Sequence, residues 1–148
     1  MKVLIQRVSR SQVSVSGELA GSIGHGYTVL VGVRDGDTED DAVQLATRTV
    51  NLRVFPDDSG RMNLDLQAVG GEVLAISQFT LYADTRKGNR PGFGRAGNPA
   101  EAERLYETYV QELRARLGPD RVATGVFGAA MSVDITNDGP VTIELTSD

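Results

Sequence analysis

Residues 72–82, EVLAISQFTLY, form the stretch of the 148-residue sequence that is most informative about the fold. The run is rich in β-branched, aliphatic and aromatic residues, which is typical of a central strand. It predicts one strand over its whole length, with alternate side chains on opposite faces of a sheet. Ser77 and Phe79 are then expected on one face, and Gln78 and Thr80 on the other.

Further strands are predicted on both sides of this run. Residues 27–33 are almost wholly apolar, as expected of a strand that is covered on both faces, and residues 3–8 alternate and are β-branched. The segments 13–15 and 19–23 flank Gly17 and predict a hairpin. Three short strands are predicted near the end of the chain, at residues 122–127, 131–136 and 141–145.

Two helices have clear start signals. Thr38, with Asp41 three positions later, gives an approximate capping box, and apolar residues at helical spacing follow it. Asn98 followed by Pro99 marks the start of the second helix, which Gly118-Pro119 ends. Because strands and helices do not alternate strictly, the pattern predicts one α+β domain over residues 1–148, with a largely antiparallel sheet and two main helices.

The chain has no cysteine and a single histidine, His25. This composition excludes disulfides, a thiol nucleophile, cysteine-based metal sites and a motif of two histidines, so we expect no metal and no cofactor. The first ten residues lack a long apolar signal core, and no apolar stretch approaches the ~20 residues that cross a bilayer. We therefore expect a soluble, cytoplasmic protein with no membrane partner.

The net charge of −5 argues against a protein that binds long stretches of nucleic acid, because Lys and Arg supply that affinity. It leaves contact with the end of an RNA open. The basic segment 83–97 contains Arg86, Lys87, Arg90 and Arg95. It is either a solvated surface loop, which composition favours, or a local phosphate-binding patch.

Ser77, Gln78, Phe79 and Thr80 are the first candidates for catalysis. Polar residues inside so apolar a run need hydrogen bonds if they are buried, or they line a cleft; a solvated face explains them equally well. A Ser–His–Asp triad is not supported, since His25 lies in a Gly-His-Gly turn. A serine or threonine without a base is a poor nucleophile, so a catalytic role would rest on positioning and on backbone N–H groups that stabilise an oxyanion.

Residues 137–140, Asn-Asp-Gly-Pro, are the second candidate. Their composition favours a β-turn that joins the last two predicted strands. A cis Gly139–Pro140 bond would be a more specific feature, but only about 5–6% of X–Pro bonds in folded proteins are cis. The local sequence alone therefore favours the turn.

Taken together, the two candidates resemble the two signature motifs of the D-aminoacyl-tRNA deacylase family, as SQFTL at 77–81 and NDGPVT at 137–142. The resemblance covers essentially the whole chain, with motif order and spacing preserved. One departure is Gly92, which stands where the family usually has serine. The further matching positions are Gln6-Arg7-Val8, Arg61-Met62-Asn63-Leu64, Arg90-Pro91 with Phe93, Gly125 and Met131.

This resemblance implies a β-barrel-like core and a homodimer with active sites at the subunit interface. It implies a cis Gly139–Pro140 peptide that enters the partner's pocket, where its carbonyls read the chiral centre of the substrate. Arg7 would steady this segment, and Asn137 and Met131 would also belong to the substrate-binding residues. Residues 77–80 would receive the terminal adenosine and the ester.

The implied reaction is hydrolysis of the ester at the 3′ end of D-aminoacyl-tRNA and of mischarged glycyl-tRNA, with L-aminoacyl-tRNA rejected. Backbone groups of Phe79 and Thr80 would stabilise the oxyanion, and the terminal 2′-hydroxyl of the RNA would help to activate or replace the water. Thr80 as a covalent nucleophile is the less favoured alternative. Two other classes stay open from the residues alone: a non-catalytic module that binds an RNA end or a nucleotide, and a small-molecule esterase or amidohydrolase with no RNA partner.

Overall fold

A computed structural model describes residues 1–148 and contains eight strands. The main helices are α1 (Glu39–Asn51) and α3 (Pro99–Leu117), with the four-residue α2 (Leu66–Val69) between them and 3₁₀ turns at Phe79–Tyr82 and Pro119–Arg121. In chain order the strands are β1 (Lys2–Val15), β2 (Glu18–Ile23), β3 (Gly26–Gly32), β4 (Phe55–Pro56), β5 (Met62–Leu64), β6 (Glu72–Ser77), β7 (Val122–Thr124) and β8 (Ser132–Thr146).

Strand β1 organises the sheet because it pairs antiparallel with three strands. β3 and β2 share one of its edges, and β8 follows the other edge along most of its length. β6 joins β3 in parallel and β7 joins β6 in parallel. These two parallel pairings need long crossover connections, and the connections contain α1 and α3.

The two ends of the sheet approach each other. A Cβ atom placed on Gly21 of β2 would lie only 2.6 Å from the carbonyl oxygen of Thr124 in β7. Glycine at this position therefore allows β2 and β7 to come together, so that the sheet nearly closes. The predicted α+β class with a barrel-like, largely antiparallel sheet is confirmed.

The helices cover one face of the sheet with the larger apolar core. Val73 and Ala75 of β6 join this core, whereas Leu74 and Ile76 belong to a smaller cluster on the opposite face. The hydroxyls of Thr49 in α1 and Tyr109 in α3 are 2.9 Å apart and link the two helices. None of the helices has the length and apolar character needed to cross a membrane.

The strand predicted over residues 72–82 ends early, at Ser77. The backbone N–H of Gln78 still donates to the carbonyl of Val31, 2.7 Å away, but β3 ends one residue later. Without a partner strand, the chain turns into a 3₁₀ helix whose last residue, Tyr82, is buried. The predicted alternation of faces beyond Ser77 is therefore wrong. Composition did not distinguish the two cases, because the apolar residues that anchor this turn are of the same types as those of a strand.

The last two predicted strands are one strand, β8, and residues 137–140 do not reverse the chain. Val8 pairs with Asn137 and Gln6 pairs with Thr142, so two steps along β1 correspond to five along β8. Residues 138–141 of β8 therefore lie opposite Arg7 alone, and the three extra residues form a bulge in β8. The local preference for a turn is overridden because both flanking segments pair with the same strand in the same direction.

Candidate active site

A cavity of about 940 Å³ lies where β3 and β6 end. Of the predicted catalytic residues, Ser77, Gln78 and Phe79 line it, and Met131 lines it from the segment before β8. Thr80 is not among the lining residues. Most of the wall is apolar or small, and its other residues are Val31, Val33, Asp35, Ile76, Phe93, Ala96, Gly97, Asn98, Pro99, Ala102, Phe127, Gly128, Ala129 and Val133.

The 3₁₀ turn after β6 contributes Phe79 to the cavity wall and leaves two of its backbone N–H groups without a partner inside the turn. Its first internal hydrogen bond runs from the N–H of Leu81 to the carbonyl of Gln78, at 3.2 Å. The N–H groups of Phe79 and Thr80 precede that bond, so the turn itself gives them no partner. Burial and the Asp37 carboxylate raise the pKa of Tyr82 to about 12, so the side chain that anchors the turn stays neutral.

The side chain of Thr80 has a hydrogen-bond donor as its neighbour. The amide nitrogen of Gln78 donates to the Thr80 hydroxyl oxygen. An amide N–H cannot accept the proton of the hydroxyl, so this contact does not make Thr80 a nucleophile.

Two aromatic rings lie at the mouth of the cavity. Phe79 is 54% exposed and Phe93 is 39% exposed, and their ring centroids are 5.0 Å apart in an edge-to-face arrangement. Exposed aromatic side chains next to a cavity mark a binding surface more often than isolated surface residues do. The pair offers an apolar platform for a planar group.

Asp35 is the one charged residue of the cavity wall, and sequence reasoning missed it. It lies in the turn directly after the buried strand β3. A polar residue at the end of a buried strand was the available signal, but the sequence does not show that this end faces a cavity. No group of three His, Cys, Asp or Glu residues is placed to bind a metal ion.

The second predicted motif lies outside this cavity. Gly139 and Pro140 are exposed in the bulge of β8, and the peptide bond between them is cis. Asn137 is also exposed, and none of the three lines the cavity. Within one chain, the predicted site residues therefore form two separate groups.

Arg7 fixes the base of the bulge. Its side chain is 12% exposed, and its Nε donates to the carbonyl oxygen of Asp138 at 2.7 Å. Its Nη1 donates to the carbonyl oxygen of Val54. One guanidinium thus connects the bulge to the segment before β4.

His25, to which sequence reasoning gave no role, also contacts the bulge. Its Nε2 lies 3.6 Å from the carboxylate of Asp138, and its ring packs edge-on against the buried Phe55, with centroids 5.0 Å apart. The Gly-His-Gly sequence contains no signal for this contact, because 113 positions separate His25 from Asp138 in the chain.

Comparisons with known proteins identify the same family that the two motifs resemble. The sequence model described as D-Tyr-tRNA(Tyr) deacylase matches residues 4–146. Proteins named D-aminoacyl-tRNA deacylase are similar to the chain: that of Thermomicrobium roseum is 54% identical, with 99% of this chain and 94% of the relative covered. That of Bacillus velezensis is 50% identical, with 99% of both chains covered.

Two solved structures share the fold. One, called c-Myc DNA Unwinding Element Binding Protein, has a TM-score of 0.94 and 42% identity, and the match covers 100% of this chain and 99% of the other. A probable eukaryotic D-amino acid tRNA deacylase has a TM-score of 0.84 over 97% of both chains, and its 17% identity supports the fold alone. From the family match and the identity to its members, the chain belongs to the D-Tyr-tRNA(Tyr) deacylase family.

Proposed function

We propose that this protein hydrolyses the ester that links a D-amino acid, or glycine, to the 3′ end of tRNA, and that it rejects L-aminoacyl esters. The observation that carries the proposal is the cavity at the end of β6, with the motif residues Ser77, Gln78 and Phe79 in its wall. Its mostly apolar wall and the aromatic pair Phe79 and Phe93 at its mouth suit a terminal nucleoside. A tRNA substrate implies that the protein acts in the cytoplasm.

Catalysis in this proposal rests on positioning and on the backbone. An aminoacyl ester is already labile in water, so the required reduction of the barrier is modest. The N–H groups of Phe79 and Thr80 would stabilise the charge that develops on the carbonyl oxygen of the ester. The 2′-hydroxyl of the terminal ribose would help to activate the water that attacks the ester carbonyl, so that the amino acid leaves as a free acid and the 3′-hydroxyl of the ribose is regenerated.

Chirality would be read across a homodimer. Gly139 and Pro140 are exposed, lie outside the cavity of their own chain and are fixed at their base by Arg7. We infer that this bulge enters the cavity of a second copy, where its carbonyls exclude an L side chain by a steric and desolvation clash. A glycyl ester has no side chain to exclude, so it would be cleaved as well.

Loss of the ester from D-Tyr-tRNA, L-Tyr-tRNA and Gly-tRNA tests the proposal. We expect rapid loss from the D-tyrosyl and glycyl substrates and only the uncatalysed rate from the L-tyrosyl substrate. Protection of both tyrosyl esters would instead identify a binding module. Equal hydrolysis of simple D-tyrosyl esters that lack RNA would identify a small-molecule esterase, and cleavage of L-Tyr-tRNA at a comparable rate would refute the chirality filter.

Thr80→Val is expected to lower kcat by no more than about fivefold, the factor that corresponds to one lost hydrogen bond of about 1 kcal/mol. The substitution removes the hydroxyl but keeps the backbone N–H that the proposal uses. Single-turnover hydrolysis of D-Tyr-tRNA measures the effect. A loss of several orders of magnitude with tRNA binding intact would favour Thr80 as the nucleophile.

A further inference from the structure

The basic segment after the 3₁₀ turn forms a closed loop with a cleft of its own. Asp84 and Gly92 pair through two backbone hydrogen bonds of 2.7 and 2.9 Å, and these close the loop 85–91 between them. The cleft has a volume of about 520 Å³. Its lining residues are Asp84, Arg86, Lys87, Arg90 and Gly92, none of which is hydrophobic.

The cations of this cleft are not equivalent. Arg86 donates to both carboxylate oxygens of Asp84, at 2.8 and 2.6 Å. These hydrogen bonds hold the pKa of Asp84 well below its ordinary value, so the pair stays ionised and contributes no net charge. Lys87 and Arg90 are exposed and form no ion pair. Arg95, the fourth cation of the basic segment 83–97, does not line the cleft.

The cleft and the candidate active site adjoin through consecutive residues. Gly92 lines the cleft, and Phe93, the next residue, lines the cavity and forms its aromatic mouth. Consecutive Cα atoms are about 3.8 Å apart. A polynucleotide whose terminal ester lies in the cavity therefore has the basic cleft next to the site of its terminal nucleotide.

We propose that Lys87 and Arg90 form a phosphate subsite for the acceptor strand of the tRNA, next to its esterified terminal nucleotide. This inference rests on the proposed function. Local charge complementarity supports it, since two unpaired cations on one loop can contact phosphates although the whole chain has a net charge of −5. Such contacts position the end of the RNA without reading its sequence.

The dependence of tRNA affinity on salt provides the test. The Kd of uncharged tRNA is measured by fluorescence anisotropy from 50 to 500 mM salt for the wild type, for Lys87→Gln/Arg90→Gln and for a charge-matched control. The control is Arg104→Gln/Arg116→Gln, which removes two exposed arginines of α3 that pair with glutamates. Circular dichroism confirms that each variant is folded.

Substitution of Lys87 and Arg90 is expected to remove two phosphate contacts that the wild type makes. The slope of log Kd against log salt should then fall by about 1.4, at about 0.7 per single-strand phosphate contact. We expect affinity at the lowest salt to fall at least tenfold, and the control to keep both the slope and the affinity. A loop that only supported the fold would not change the slope.

Two results would overturn the subsite: an unchanged slope in Lys87→Gln/Arg90→Gln, or an equal change in the Arg104→Gln/Arg116→Gln control. Because uncharged tRNA is the probe, the measurement does not depend on hydrolysis. A protein that binds tRNA through these residues but leaves D-Tyr-tRNA intact would refute the proposed function and keep the subsite.

Discussion

Arg7→Ala is expected to lower kcat/KM for D-Tyr-tRNA by about 100-fold, the largest effect on activity that the structure predicts for one side chain. Arg7 is nearly buried and donates to the carbonyls of Asp138 and Val54. Hydrogen bonds from a charged group each contribute about 1.5–3 kcal/mol, and about 2.7 kcal/mol corresponds to a factor of 100 in rate. Truncation leaves the base of the Gly139–Pro140 bulge without this support.

Two further variants isolate the cause. Arg7→Lys keeps the charge but offers no rigid fork to two carbonyls, so we expect it to recover only part of the activity. Arg10→Ala removes an exposed arginine of the same strand, which donates to the side chain of Thr136, and should leave the rate unchanged. Activity of Arg7→Ala within threefold of the wild type, in a folded protein, would contradict the role given to the bulge.

Features that depend on local chemistry were predictable from the sequence. The capping box of Thr38 and Asp41 and the cap of Asn98 on α3 are present in the structure as predicted. The family followed from ordered motifs, and the family match confirms it. Each of these features depends on residues that are near in sequence or on a pattern that needs no three-dimensional register.

Features that depend on pairing between distant segments were not predictable. The end of β6 follows from the end of β3, and the bulge of β8 follows from its register on β1. The contact of His25 with Asp138, and the place of Asp35 in the cavity wall, arise in the same way. The sequence identified the two motifs but could not show that they lie apart within one chain, because β1 and β3 lie between β8 and β6 in the sheet.

Gly26→Ala is expected to cost about 4 kcal/mol of unfolding free energy, the largest effect on stability. A Cβ atom on Gly26 would lie 1.8 Å from the carbonyl oxygen of Glu72. Gly26 also has a φ angle of +155°, a backbone conformation that residues with a side chain rarely adopt. Gly26 also starts the parallel register of β3 on β6, where Glu72 donates its N–H to the carbonyl of His25 at 2.9 Å. Because backbone atoms make the clash, no rotamer can relieve it, and overpacking together with backbone strain account for the cost.

Gly36→Ala separates the two contributions to this cost. Gly36 has φ +87 but open space around the added Cβ, so its substitution should cost only about 1 kcal/mol of backbone strain. Urea unfolding measures both free energies, and about 4 kcal/mol corresponds to a decrease in Tm of about 8–16 °C. Equal losses in the two variants would mean that the strands shift to accept the methyl group. Such a shift would move Ser77 away from its partner Val31. Gly26→Ala would then lower kcat more than Gly36→Ala does. In that case the register of β3 on β6 would determine the geometry of the active site as well as the fold.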